Sequence, residues 1–231
     1  MSTSDSGSTP PPPAPPGSTP VSQPAIAVPT FTFGGYVALP GEIEGVGFGR
    51  RLAARLIDIV FHFIIAFFTG IVLGFVLGVY AGMTHQPFAP MWARATNIGL
   101  WSFGSALLGS VAYHTLCEGL GGSTLGKRIF SMTVVQENGA PCRFDSALVR
   151  SLGYFVDALF FGLIGYFAMK DKVTQQRYGD QWAHTIVCMR EKSPPQGLRR
   201  GGQVALGIFA GAAADGLCLG LPYVIGLLLN S

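Results

Sequence analysis

The chain has 231 residues, of which 49% are hydrophobic and only 12% charged, with a formal net charge of +3. A soluble domain carries roughly 25% charged residues, so this chain is too poor in charge to cover a water-facing surface, and its mean hydropathy of +0.42 points to a bilayer. So small a net charge argues for no nucleic-acid partner, and Cys117, Cys142, Cys188 and Cys218, scattered without a CxxC pair, form neither a disulfide framework nor a zinc pattern.

Residues 1–40 are a low-complexity tail containing Pro10-Pro11-Pro12-Pro13 with Ser, Thr and Gly neighbours. Such a segment cannot bury a core and is expected to be solvated, with polyproline II character. The first long apolar stretch is Leu52 to Tyr80, in which His62 is the only markedly polar residue after Ile59. About 20 apolar residues span a bilayer, which predicts a transmembrane helix. The second stretch, Thr96 to Leu116, carries Gly99, Ser102, Gly104, Ser105, Gly109 and Ser110. Small residues let helix backbones approach closely in lipid, so this helix is expected to pack on a neighbour.

A polar segment from Glu118 to Asp145 follows, with a strand-like run Ser131–Val135 and a turn at Asn138-Gly139. The third apolar stretch, Ala147 to Met169, is interrupted by Asp157, Gly162 and Gly165. A second polar loop, Lys170 to Gly202, holds another strand-like run, Thr185–Met189. The last apolar stretch, Val204 to Leu229, includes Asp215 and Pro222.

Cytoplasmic loops are enriched in Lys and Arg. Arg50, Arg51 and Arg55 stand at the start of the first helix, Arg94 alone in the first connection, and seven basic residues in the loop after the third stretch. The N-terminus is therefore expected inside and the first connection outside. If the third stretch crosses fully, the most basic loop lies outside and the two strand-like runs are on opposite sides. A re-entrant or in-plane third stretch removes both conflicts, and broken helices are tolerated where protein or water covers the backbone. The expected fold is an all-α membrane protein of three to four transmembrane helices with a small cytoplasmic β-hairpin-like unit.

Arg51, Arg55, Asp58 and His62 are spaced by four, three and four and share one helix face. Arg55 and Asp58 can pair at i, i+3. Ionisable residues in membrane helices usually face a bundle interior with a partner or water. Yet Asp58 is only about two turns from the helix start, where the pair could instead set helix depth and dock the helix on the cytoplasmic unit. Arg150, Tyr154 and Asp157 repeat the pattern, and crossed pairing of Arg55 with Asp157 or Asp180 is a further option. Asp215 stands isolated among small residues, where it could cap a break in the last helix. The histidines have no metal-ligand spacing.

Gly121-Gly122-Ser123-Thr124-Leu125-Gly126-Lys127 matches the first seven positions of a phosphate-binding loop, but Arg128 stands where Ser or Thr should hold magnesium. The preceding element is a membrane helix rather than a buried strand. The run reads better as a turn leaving the membrane, with Lys127 and Arg128 at the anionic leaflet. No nucleophile triad, metal set or nucleotide loop is present, so neither an enzyme nor a cofactor is expected.

Four motifs in order resemble the RDD family of membrane proteins, named for one arginine and two aspartates. They are Arg51-Leu52-Ala53-Ala54-Arg55-Leu56-Ile57-Asp58; Gly122 to Arg128 leading into Met132-Thr133-Val134-Val135; Ala147-Leu148-Val149-Arg150 with Asp157; and Gln176-Arg177-Tyr178-Gly179-Asp180 through Val187. The resemblance covers about residues 48–190 and leaves the tail and residues 203–231, an additional C-terminal hydrophobic helix, outside. It implies Arg55 and Asp58 as the arginine and first aspartate, with Asp157 or Asp180 as the second. His184 replaces a glycine of the family pattern. The resemblance implies transport of ions or small ligands, with membrane-face carboxylates as proton or cation sites. The alternative is a non-transporting membrane adaptor or assembly protein whose cluster of Arg55, Asp58, Arg150, Asp157 and Asp180 is structural. Either would sit in a cell membrane, by this reading a bacterial inner membrane, as a homo-oligomer or beside another membrane protein.

Overall fold

The structure is a computed structural model that describes residues 43–90, 99–157, 162–170 and 173–229. The Pro-rich tail over residues 1–40 and the first-connection residue Arg94 lie outside the described residues. In chain order the helices are α1 (Phe48–Thr84), α2 (Gly99–Gly121), α3 (Leu125–Ile129), α4 (Phe144–Asp157), α5 (Leu163–Met169), α6 (Tyr178–Trp182) and α7 (Gly201–Leu229). Strand β1 (Met132–Gln136) lies between α3 and α4, and β2 (Thr185–Met189) follows α6.

Two helices among the described residues, α1 and the segment containing α7, are long and apolar enough to cross a membrane. The 37 residues of α1 extend about 55 Å at 1.5 Å per residue, against a hydrocarbon core of about 30 Å. Its apolar run beyond Ile59 is sufficient to cross, which leaves the first three turns, with Arg51, Arg55 and Asp58, at one face. Phe63, Phe67, Phe75 and Met83 are exposed along the helix, as suits a surface solvated by lipid rather than water. The second helix, α2, has 23 residues but is less apolar. It packs along α7, where a side chain on Gly211 would overlap Cys117 and the Tyr113 carbonyl. The small-residue expectation therefore holds at Gly109, which abuts Asp215 and Cys218, whereas Gly99 and Gly104 face open space.

The two strand-like runs pair antiparallel, in the register Met132↔Met189 through Gln136↔Thr185. They are not a hairpin, since α4, α5 and α6 intervene in the chain. A two-stranded ribbon is marginal alone. Here both strands are buried over their first four residues. Val134 and Val187 pack with Val46, Ala54, Cys142 and Ala147. Each fully buried aliphatic contributes about 1.5–3 kcal/mol. The chain just before α1 borders β2, with Val46 N–H donating to the Val187 carbonyl at 2.8 Å. One core thus ties the base of α1 to the ribbon.

The third apolar stretch is two helices. Residues 158–161 are outside the description, and α5 opens at Gly162 with φ +86°. The 14 described residues of α4 reach about 21 Å. Both ends stay near the same end of α1. Ala147 shares the ribbon core with Ala54, and Tyr166 of α5 meets Phe48 edge to face at 5.6 Å. The last helix, α7, runs without a break through Pro222, so Asp215 caps no interruption.

Candidate functional site

Asp58 is buried and is held by three donors. Gly126 N–H donates to Oδ1 at 2.8 Å, Tyr113 O–H to Oδ1 at 3.2 Å, and Thr124 O–H to Oδ2 at 2.7 Å. Thr124 also caps α3 by accepting from Lys127 N–H. A methyl group on Gly126 would overlap the Ala54 carbonyl oxygen, so only glycine lets this loop lie against α1. The phosphate-loop likeness has a physical basis. Its backbone N–H and hydroxyl cradle an anion, and the anion is the Asp58 carboxylate of the same chain.

Arg55 forms no ion pair with Asp58 among the described residues, contrary to the i, i+3 expectation. Its guanidinium lies 4.1 Å over the Tyr154 ring, a favourable desolvated cation–π arrangement, and its Nη2 reaches Ser110 at 3.5 Å. Nor does it pair with Asp157 or Asp180. The arginine that does so from α1 is Arg51, one turn earlier.

Asp180 is the centre of the cluster. It is fully buried, ion-pairs with Arg51, and faces Arg150 at 3.2 Å and Arg177 at 3.6 Å. It also accepts from Arg177 N–H at 3.2 Å, closing the first turn of α6. Burial acts to raise its pKa, but Arg150, Arg177 and Arg51 together outweigh burial and hold the carboxyl well below the usual range. Arg150 donates from Nε to Glu118 at 2.9 Å and from Nη1 to Thr185 at 2.8 Å. Burial would lower Arg150, yet Glu118 and Asp180 raise it above its ordinary value.

Asp157 caps α6 from another helix, accepting from Tyr178 N–H at 3.1 Å and Gly179 N–H at 3.2 Å. Burial raises its pKa, only partly opposed by Arg177 and those two N–H groups. The helices α4 and α6 touch at Gly153 and Gly179, where a Cβ on Gly153 would lie 2.5 Å from the Gly179 Cα. The Arg150 and Asp157 stripe therefore does meet the α1 stripe, through α6.

Glu118 and Arg177 belong to the same cluster without having been given a site role from the sequence, and so does Lys127, which was expected at the leaflet. Lys127 is turned inward to pair with Glu118, rather than outward to a leaflet, and burial lowers its pKa against the pull of Glu118. The available signal was an acid closing the second apolar stretch nine residues before a lysine. Asp215, set aside as isolated, is fully buried with Oδ2 2.7 Å from His62 Nδ1. At the position of the family glycine, His184 adopts φ 51°, the left-handed region that glycine occupies without strain. No group of three or more His, Cys, Asp or Glu that could hold a metal occurs among the described residues.

Residues 46–184 match the model of a family described as the RDD family. No curated protein matches the chain, and neither does any solved structure.

Proposed function

We propose that this chain, which belongs to the RDD family, is a multi-span membrane adaptor whose arginine–carboxylate cluster is a structural clasp. The clasp fixes a basic cytoplasmic unit, built around β1, β2 and α6, to the base of α1. The N-terminus is cytoplasmic, α1, α2 and α7 cross, and α4 and α5 stay at the cytoplasmic face. The unit and the Pro-rich tail then recruit a partner protein or anionic lipid, and the chain acts as a homo-oligomer or beside another membrane protein.

One observation carries this reading: the cluster carboxylates are already occupied. Asp58 accepts three hydrogen bonds, Asp180 faces three arginines, and Glu118 pairs with Lys127 and Arg150. A hard cation needs several oxygen ligands with negative charge to spare, and these oxygens have none. The test is to reconstitute the protein and measure cation-driven proton flux beside thermal stability. Asp58→Asn is expected to lower stability, with no specific flux in either form. An Asp58→Asn protein of normal stability that has lost a wild-type flux would sink the clasp. Topology is tested by cysteine labelling over Lys170–Gly202, and labelling from outside refutes the in-plane α4 and α5.

A second reading rests on the His62–Asp215 pair between α1 and α7. Here Asp215 has one oxygen, Oδ1, without a hydrogen-bond partner among the described residues, and buried carboxylates in membrane helices often serve as proton sites. In that case flux is present and is lost in Asp215→Asn and His62→Gln, while Asp58→Asn affects it only through stability.

A further inference from the structure

The pairings within the cluster do not use all of its charge. A cavity of about 40 Å³ is walled by Arg51, Arg55, Lys127, Arg150 and Arg177, with Asp58 and Glu118 as its carboxylates. That is room for roughly one to three water molecules, and an oxyanion bound there would replace them. Asp157 and Asp180 pair with the same arginines. Five cations thus meet four carboxylates, and one positive charge is left over in a buried place, where an uncompensated charge is costly.

The hydrogen bonds show the same excess. Arg150 is 2% exposed; its Nε goes to Glu118 and its Nη1 to Thr185 and Asp180. One cluster acceptor, Asp180 Oδ1, accepts no hydrogen bond among the described residues, but it faces Arg150 and Arg177 as charges and lies outside the cavity wall. Arg150 Nη2 is buried without a partner among the described residues, as are Arg55 Nε, Arg177 Nε and His114 Nδ1. All four residues line this one cavity. Buried donors in folded proteins are almost always satisfied, so the three guanidinium donors together call for an acceptor, with the His114 ring nitrogen beside them.

We propose that this cavity binds a singly charged oxyanion of the phosphate class, held by Arg55, Arg150 and Arg177 where α1, α2 and α4 meet. Guanidinium groups match such oxygens in planar, charge-assisted geometry. The same chemistry has two sources, free inorganic phosphate and the phosphodiester of an anionic lipid. The second has an approach. A neighbouring cavity of about 240 Å³ shares Arg51, Arg55, Tyr154 and Arg177, and its remaining wall is Phe48, Leu52, Gly162, Gly165 and the Asp157 carboxyl, which Arg177 faces at 3.9 Å. Leu52 is exposed on α1, which gives this side an apolar rim that suits a lipid chain.

The test uses the full chain in detergent, in gluconate buffer at constant ionic strength, with thermal unfolding as the readout. Inorganic phosphate, short-chain phosphatidylglycerol and short-chain phosphatidylcholine are titrated separately. A saturable rise of the midpoint, roughly 5–10 °C at a hundredfold excess over Kd, is expected from phosphate or from phosphatidylglycerol. A response to phosphate identifies a free anion, and a response to phosphatidylglycerol alone identifies the headgroup. Arg55→Gln should weaken the response at least tenfold. Should that variant not fold, Arg55→Lys, which keeps the charge but lacks the Nε donor, should weaken it as well. The proposal is overturned by no saturable response to either probe, by an equal response to phosphatidylcholine, by an equal response to chloride, or by an undiminished response in the Arg55 variants.

Discussion

Replacing Asp180 by Asn removes one charge and leaves the shape almost unchanged, so it isolates the electrostatic role of the clasp. Three arginines face this carboxylate, and Arg51 and Arg150 are themselves buried. Breaking a buried pair from one side costs about 3–5 kcal/mol, because the partner charge stays buried without compensation. The total stability of a domain is only about 5–15 kcal/mol, so the cytoplasmic unit should open far more often. Cys142 and Cys188 report that opening, since both are fully buried in the unit. Burial also pushes the Cys142 thiol up to about 12, so it is inert while enclosed. Labelling by a thiol-reactive dye under native conditions should speed up by roughly two to four decades. Cys218, which is partly exposed, is replaced by Ala in both proteins so that it does not contribute. If Asp180→Asn labels at the wild-type rate, the charge cluster does not hold the unit, and the clasp is wrong.

Gly126→Ala should be more damaging than a typical surface change, because its methyl would overlap the Ala54 carbonyl. Overpacking costs about 1–3 kcal/mol, and the Asp58 hydrogen bonds would be displaced too; a wild-type unfolding midpoint would refute the loop docking. Asp157→Asn should cost less than Asp180→Asn in the same dye assay, because Asn keeps an oxygen for one of the two α6 N–H groups and relieves a carboxyl that burial disfavours as the anion. The pH profile follows from the directions of the two aspartates. The lowered pKa of Asp180 gives stability that is fully present above its unfolded value near ~3.9 and is lost as pH falls below it. The raised pKa of Asp157 acts oppositely and takes stability away as pH rises through its folded value. The clasp is therefore expected to stay closed from pH 8 to 5 and to weaken progressively below about pH 4, read by midpoint against pH; opening at pH 6 would contradict it. His184→Gly should be neutral or stabilising by up to about 1 kcal/mol, as relief of a left-handed backbone outweighs the added chain entropy, whereas a clear loss of midpoint would show that the His184–Glu137 contact matters more.

The elements with a strong period or a long apolar run were legible without coordinates. The first apolar stretch became α1, the last became α7, and the two strand-like runs paired as the charge distribution required. The pairing of these runs across the third apolar stretch was expected, but the three helices between them leave no local mark in the sequence. Partner identity was harder. Spacing correctly placed Arg51, Arg55 and Asp58 on one face, but an i, i+3 spacing permits a pair and does not compel one. Asp58 met better partners in the Gly126 amide and the Thr124 hydroxyl, and Arg55 met the Tyr154 ring. Which arginine reaches Asp180 depends on where the segment before α1 runs, since Arg51 is also anchored to the Val46 carbonyl at 2.8 Å. Asp215 looked isolated because its partner His62 is 153 positions away.

The glycine-rich loop shows how a motif can be right in physics and wrong in ligand. Backbone N–H groups and a hydroxyl at a helix N-terminus bind anions of any origin. Here the short α3 leaves Gly126 N–H and Thr124 O–H pointing at α1, and Asp58 supplies the anion. The loop can no longer serve an external phosphate, because its donors are taken and Asp58 would repel one. Donors not taken by the chain's own carboxylates lie deeper, on Arg55, Arg150 and Arg177. The proposed oxyanion site thus falls beside the loop that resembles one, and Asp58 lines both, so Asp58→Ala relieves repulsion of an anion at each. Removing the Asp58 carboxylate frees the loop donors for added phosphate. It leaves the Arg55, Arg150 and Arg177 donors in place, so phosphate should stabilise this variant more than wild type. An Asp58→Ala protein that folds but gains nothing from phosphate would show that the loop holds its shape only around its own carboxylate.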